Sequence, residues 1–348
     1  MRLGSDNTGP ALPQVMEALV RANDGHATPY GADTLTDAAR DKLREVFAAP
    51  DAAVEFVTTG TAANVLALAT LTQPWQTIFC TPRAHILVDE CHSPEFYTGG
   101  ARLTLTGHED KMTAEDLAAA ISTLPRRDVH TSEPGTVALT QVTEMGQLYT
   151  LDELRSITDV AHAHGLPVHL DGARFANACA ALGCTPAQMS HEAGIDAVSF
   201  GASKNGCLNV EAVVMFDPGH AWELERRRKR GGHLVSKGRF LAAQMMGYLE
   251  DDVWLTSAQR ANANAARLVA GLGALPDCTF LAEPQANMIF ARLPRATHQR
   301  LHAGGAVYGL YEGPLENGDP DEPLLMRCVC DWSLTETQID DFLALAKG

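Results

Sequence analysis

The chain is short of positive charge: 27 lysines and arginines stand against 43 aspartates and glutamates, a formal net charge of −16 over 348 residues. That balance excludes a nucleic-acid binder, because neutralising phosphates needs a net basic surface. Long hydrophobic runs are also missing. The richest stretch, Val65 to Leu71, stops at Thr72 and Gln73, far below the ~20 apolar residues of a membrane helix. The opening MRLGSDNTGP lacks the apolar core of a secretion signal. Eight cysteines are scattered without one C-x-x-C, so they read as small buried side chains in a reducing, cytoplasmic compartment rather than as metal ligands or disulfides.

What is present is alternation. Short β-branched runs at 54–57, 86–88, 136–141, 168–170, 198–200 and 212–216 are separated by helical patterns. This predicts an α/β fold with a mainly parallel sheet sandwiched by helices. Thr150 and Glu153 form a capping box ahead of a helix whose Leu154, Ile157 and Ala161 share one face, and Gly165 sits at its left-handed end. Beyond about residue 250 the pattern changes, which predicts an N-terminal segment and large domain over 1–250 and a smaller α+β domain over 251–348. Ser333 and Glu336 predict a second capping box there. The stretch from Tyr311 to Met326, with five acids, no base and three prolines, reads as a solvated excursion before a strand at 325–329.

Three features fall at the ends of successive predicted elements. Thr59-Gly60-Thr61-Ala62-Ala63-Asn64 lies between a strand and a helix, where Gly60 and Thr61 can offer backbone N–H groups to a phosphate; a plain turn and cap would look the same. Asp171 ends a buried strand within His169-Leu170-Asp171-Gly172-Ala173-Arg174, at the carboxyl end where open α/β sheets bind ligands. It can pair with a protonated ring nitrogen, or be an ordinary helix cap. Lys204 follows another strand in Ser203-Lys204-Asn205-Gly206, between apolar Phe200 and Cys207, where desolvation would expose the nucleophilic amine that Schiff-base chemistry needs. Together the three make a phosphate cradle, a ring-nitrogen carboxylate and a Schiff-base lysine, the parts that hold pyridoxal 5′-phosphate.

With those parts in order, the sequence resembles the threonine aldolases of the β-eliminating lyase group, within the fold-type I pyridoxal-phosphate enzymes of aspartate aminotransferase-like fold. The resemblance runs from Leu3-Gly4-Ser5-Asp6-Asn7 and Tyr30-Gly31-Ala32-Asp33, through Thr59 to Asn64, His85-Ile86 with Glu90, Asp171 to Arg174 and Ser203-Lys204, to Leu325-Met326-Arg327. It implies that Lys204 carries the cofactor, Asp171 partners the pyridine nitrogen, and Gly60 and Thr61 hold the phosphate. It further implies that His85 stacks on the ring, that Ser5, Arg174 and Arg327 bind the substrate carboxylate, and that Tyr30 lines the site, in this family often across a subunit interface. Lys237 is assigned to a neighbouring subunit's phosphate, in a homodimer or homotetramer.

Two departures are informative. Val142-Thr143-Glu144-Met145-Gly146 stands where most of the family has N-T-H-N-G, and Cys91-His92-Ser93-Pro94 replaces a glycine-rich stretch. Both resemble the low-specificity threonine aldolase and phenylserine aldolase branch. The implied reaction is retro-aldol cleavage of L-threonine, L-allo-threonine or L-phenylserine-type β-hydroxy-α-amino acids to glycine and an aldehyde. Its base is left open between His85, neutral near its ordinary pKa of about 6.5, directly or through a water, and a buried Glu144 with a raised pKa. His92 reads as a loop histidine. No metal site is expected. The rivals are a β-eliminating lyase or aminotransferase on the same cofactor, and a non-catalytic binding module on the same fold. The basic run from Arg226 to Arg230 reads as the solvated face of a helix.

Overall fold

The computed structural model describes residues 1–124 and 128–348. The larger sheet contains β1 (Ala53–Val57), β2 (Gln76–Cys80), β3 (Arg102–Leu105), β4 (Glu133–Thr140), β5 (Val168–Gly172), β6 (Ala197–Gly201) and β7 (Glu211–Met215). They lie in the order β1-β7-β6-β5-β4-β2-β3, and β7 runs against the other six. Strands covered on both faces read as near-continuous apolar runs; β5, β6 and β7 are buried at every position, and their few polar residues find partners, His169 Nε2 with Ser199 Oγ at 2.9 Å among them. Val198 and Phe200 of β6 enter the main core, where Phe47, Phe175 and Phe200 pack with ring centroids 5.4–5.6 Å apart. Ala197, on the opposite face of β6, meets Ala62, Ala63 and Leu66 of the helix Gly60–Leu71.

A second, antiparallel sheet contains β8 (Thr279–Phe280), β9 (Met288–Pro294), β10 (Gly309–Leu310) and β11 (Pro323–Val329), ordered β10-β11-β9-β8. The start of the chain is built into this unit. Leu3 N–H donates to Val307 O at 2.7 Å, and Val329 N–H donates to Leu3 O at 2.7 Å. One helix, Val253–Gly273, serves both cores: Trp254 and Ala258 pack in the first, Ala265, Leu268 and Leu272 in the second.

Several expectations are corrected. Ile86–Val88 is part of a one-turn helix, His85–Val88, and the neighbouring strands are β2 and β3, which the sequence pattern did not single out. Thr335 and Gln338 form the capping box of the last helix, and Ser333 instead donates to Asp331 Oδ1 at 2.7 Å. The acidic stretch is exposed over nearly all of 311–323, as expected, and is also anchored: Arg292 Nη2 lies 2.6 Å from Glu312 Oε1, and the buried Arg295 pairs with Glu322 and donates to Asp319 O. Arg228, by contrast, is not solvated. It is buried, donates to Phe56 O at 3.1 Å and pairs with the buried Glu55. The Thr150–Glu153 capping box and the left-handed Gly165 are present as expected. All eight cysteines are free, five of them buried, with Cys91 exposed.

Candidate active site

The carboxyl ends of β5 and β6 converge because neither carries a side chain at the point of contact. A Cβ on Gly201 would lie 2.5 Å from Ala173 O, and one on Gly172 would lie 2.7 Å from Ser199 O. This close approach brings Asp171, at the end of β5, beside the turn after β6 that carries Lys204. That turn, Ser203–Asn205, is pinned from both sides. Asn205 Nδ2 donates to Tyr248 Oη at 2.8 Å and to Trp254 O at 2.7 Å. Ala202 N–H donates to Glu211 Oε2 at 2.6 Å, and Ser203 also bonds to this buried carboxyl.

Lys204 stands where two cavities meet. One, of about 330 Å³, is lined by Thr59, Gly60, Thr61, Asn64, Asp171 and Lys204. The other, of about 440 Å³, is lined by Ser5, Glu144, Arg174, Lys204, Phe290 and Arg327. His85 faces both. Among the described residues the Lys204 amine makes no hydrogen bond or ion pair. The positive charge of Arg174, then burial, hold its pKa below the usual lysine value, against the pull of Asp6, Asp171 and Glu144.

In the first cavity, Thr59 caps the helix Gly60–Leu71 by accepting from Ala62 N–H at 3.1 Å. The first N–H groups of a helix have no partner within it, and space is open where a Gly60 Cβ would project. Asp171 is buried, with Oδ1 accepting from Ala173 N–H at 3.0 Å and Oδ2 from Asn64 Nδ2 at 2.8 Å. An anion cradle, an opposed carboxylate and an unbonded amine fit a phosphorylated, protonated pyridine aldehyde.

In the second cavity the two arginines differ. Arg174 is buried and locked to Asp6, Nε to Oδ2 at 2.7 Å and Nη2 to Oδ1 at 2.9 Å, and Asn287 Nδ2 also reaches Asp6 at 3.1 Å. Burial would push the Asp6 carboxyl up, but Arg174, with Lys204 and Asn287, holds it below the usual range. Among the described residues Arg327 has no ion pair, and its one side-chain hydrogen bond is to Met288 Sδ, at 3.6 Å. Among the described residues the Glu144 carboxyl makes no hydrogen bond or ion pair either. Burial raises its pKa, opposed by the charges of Arg174, His85 and Lys204. Its loop is held by Asp110, which accepts from Met145 N–H at 3.1 Å and from the Thr143 hydroxyl.

His85 is not the ordinary imidazole expected from sequence. Its Nδ1 lies 2.8 Å from Glu90 Oε1, and that hydrogen bond, reinforced by Asp171 and Glu144, raises its pKa despite burial. The ligand atoms of His85, Glu90 and Asp171 lie within 4.8 Å of one another, but an amide nitrogen of Asn64 donates to both carboxylates, so N–H donors stand where a cation would need bare oxygens. Just past Glu90 the chain takes two consecutive left-handed residues, Cys91 (φ 50°) and His92 (φ 60°), at the positions where the resembling family is glycine-rich. His92 is exposed, 3.2 Å from Glu95, and lines neither cavity. His92→Gly is expected to stabilise the protein by about 0.5–1 kcal/mol, the left-handed cost to a side chain less the extra freedom of glycine when unfolded. A lowered midpoint of urea unfolding would contradict this.

Tyr30 and Lys237 line neither cavity of their own chain. Both are exposed and adjacent: Tyr30, at φ 62°, donates its N–H to Ser236 O at 2.8 Å. The residues that sequence reasoning passed over are buried polar ones, namely Asp6, Asn64, Glu90, Asp110, Glu211 and Asn287. For Asp6, Asn64 and Glu90 the signal was their place inside quoted motifs.

Residues 2–294 match the beta-eliminating lyase family. The chain belongs to that family. It is 39% identical over 348 residues, covering 99% of this chain and 96% of the relative, to a low specificity L-threonine aldolase of Pseudomonas aeruginosa. It is 37% identical, over 99% of this chain and 96% of the relative, to one of a Pseudomonas species. A solved threonine aldolase of Leishmania major superimposes with a TM-score of 0.90 at 26% identity, covering 99% of this chain and 98% of that one. A serine palmitoyltransferase of Sphingomonas wittichii, at 19% identity and TM-score 0.72, covering 100% of this chain and 86% of its own, shares the fold-type I architecture. No helix among the described residues of this family member is long and apolar enough to cross a membrane.

Proposed function

We propose that this chain is a pyridoxal-phosphate-dependent aldolase that cleaves L-threonine, L-allo-threonine or L-phenylserine-type β-hydroxy-α-amino acids to glycine and an aldehyde. The observation that carries the reading is the position of Lys204, unbonded, between a cavity built for a phosphate and ring and one holding an unpaired guanidinium and an unpaired carboxyl. The threonine aldolases among its relatives support the same reaction.

Thr59, Gly60 and Thr61 would hold the cofactor's phosphate, Asp171 its ring nitrogen, His85 a ring face and Lys204 its aldehyde carbon. When bound, the cofactor supplies an electron-accepting ring for the pair released as Cα–Cβ breaks. The remaining work falls to side chains. Arg327 offers a free planar fork to the substrate carboxylate, and Ser5 lies beside it in the same cavity, while Arg174, tied to Asp6, adds positive potential. Glu144 takes the β-hydroxyl proton: it faces the cavity without a competing donor, and burial makes it a stronger base than an ordinary carboxylate. His85 is held by Glu90 as a platform and carries a proton over more of the neutral range.

The protein works as a cytoplasmic homo-oligomer in which Tyr30 and Lys237 reach a neighbouring subunit's site; their joint exposure on one face supports this. The test is incubation of the purified protein with L-threonine, L-allo-threonine and L-phenylserine. Glycine and the matching aldehyde are expected from at least one. Pyruvate or 2-oxo acid with ammonia, or no turnover with bound cofactor, would overturn the reading.

A further inference from the structure

Asn64 is buried to 2% in the first turns of the helix Gly60–Leu71, a place where the helix needs no amide. Its side-chain nitrogen is committed twice, to Asp171 Oδ2 at 2.8 Å and to Glu90 Oε1 at 2.9 Å. Glu90 Oε1 also meets His85 Nδ1 at 2.8 Å, while Glu90 Oε2 and Asn64 Oδ1 are buried with no partner. Two buried carboxylates this close repel unless a donor stands between them. A leucine at position 64 would satisfy the helix and leave that repulsion uncompensated.

We propose that Asn64 is a positioning residue: one amide group fixes the spacing of Asp171 and Glu90 and, through Glu90, the orientation and proton of His85. The ring-nitrogen partner and the ring-facing imidazole are thereby set together, by a residue that lines the cavity floor and touches neither reacting atom of the substrate. The charges facing His85 are Glu90 from the loop after its own helix, Asp171 from β5 and Glu144 from the loop after β4. Lys204, Arg174 and Arg83 share its cavity. Asn64 adds no charge of its own, so its removal acts on this set only through geometry and lost donors.

The test uses the protein as purified, with ¹⁵N-labelled histidine, and follows the His85 imidazole by NMR against pH in the parent and in Asn64→Leu. Losing the donor to both carboxylates makes the pair hold the His85 proton more tightly. The His85 midpoint is therefore expected to move up by about one pH unit, the scale of one hydrogen bond to a charged group. Pyridoxal-phosphate release on dialysis is expected to quicken by about tenfold for the same reason. If Asn64→Leu does not fold, Asn64→Ser, too short to span both carboxylates, carries the same expectations. An unchanged His85 midpoint in a folded variant overturns the proposal, and so does an unchanged release rate beside a shifted midpoint, because Asp171 is then not held by the amide. The release experiment rests on the proposed cofactor; the histidine titration does not, so a parent that binds no cofactor refutes that function and leaves this inference to the NMR result.

Discussion

Lys204→Ala is expected to lose about 10³-fold or more of its aldol-cleavage activity and to lose all covalent attachment of the cofactor. A lysine amine is a nucleophile only when unprotonated, and in water at neutral pH almost none is. Here Arg174 and burial depress the Lys204 pKa, so the neutral amine is populated at lower pH than in solvent. The same residue is held by a turn clamped through Glu211 on one side and Asn205 on the other, so the amine is delivered to one place. Borohydride reduction followed by peptide mass spectrometry should find the cofactor on the Lys204 peptide of the parent and on none in the variant. A label on another lysine, or undiminished cleavage, would sink the assignment.

Glu144→Gln is expected to lower kcat by about 10²–10⁴-fold, the range for removing a general base, with a smaller change in KM. The pH profile carries the sharper test. A base must be unprotonated to act, so the parent's rate falls as pH drops through the Glu144 pKa, which burial lifts above the ordinary carboxylate range. The variant should keep its residual rate without that acid limb. His85→Asn should preserve the limb, because Glu90 already occupies Nδ1 and raises the His85 pKa, which makes the ring a less available acceptor than the unpaired Glu144 carboxyl. If the limb instead disappears in His85→Asn and survives in Glu144→Gln, the roles are reversed.

The parts legible in the sequence were those that repeat a local rule. Strand-end positions marked Asp171 and Lys204, a strand-to-helix glycine marked the phosphate turn, and Thr150 with Glu153 marked a helix start. Where the outcome depended on residues far apart in the chain, local rules failed. His85–Val88 has the composition of a strand, but Ala84, Leu87 and Val88 close helical turns there. The acid-rich 311–326 stretch is exposed as its composition suggests, but its anchoring by Arg292 and Arg295 of the neighbouring segment has no local signal. Arg228 looked like one more exposed cation of its helix because its partner Glu55 lies 173 positions earlier, on β1. Arg174, expected to bind substrate, lines the cavity with Nε and Nη2 tied to Asp6, a pairing across 168 positions that no local rule could show. A buried carboxylate such as Asp110 or Glu211 gives no sign of itself in one sequence, because its burial is a property of its partners.

The stitching of the first residues into the second sheet has a consequence for how the protein comes into being. Leu3 bonds to Val307 and Val329, Ser5 and Asn7 share their cavity wall with Arg174 and Arg327, and Asp6 pairs with Arg174. The wall is thus closed by segments more than 300 residues apart, and closing such a loop is slow compared with forming the helices and neighbouring strand pairs within it. The Thr59–Thr61 turn, Asp171 and Lys204 follow β1, β5 and β6 of the one larger sheet, so they can assemble before the two ends of the chain meet. Competence to bind the cofactor should therefore precede competence to bind an amino acid as the chain refolds, and a refolding protein should turn yellow before it turns over substrate.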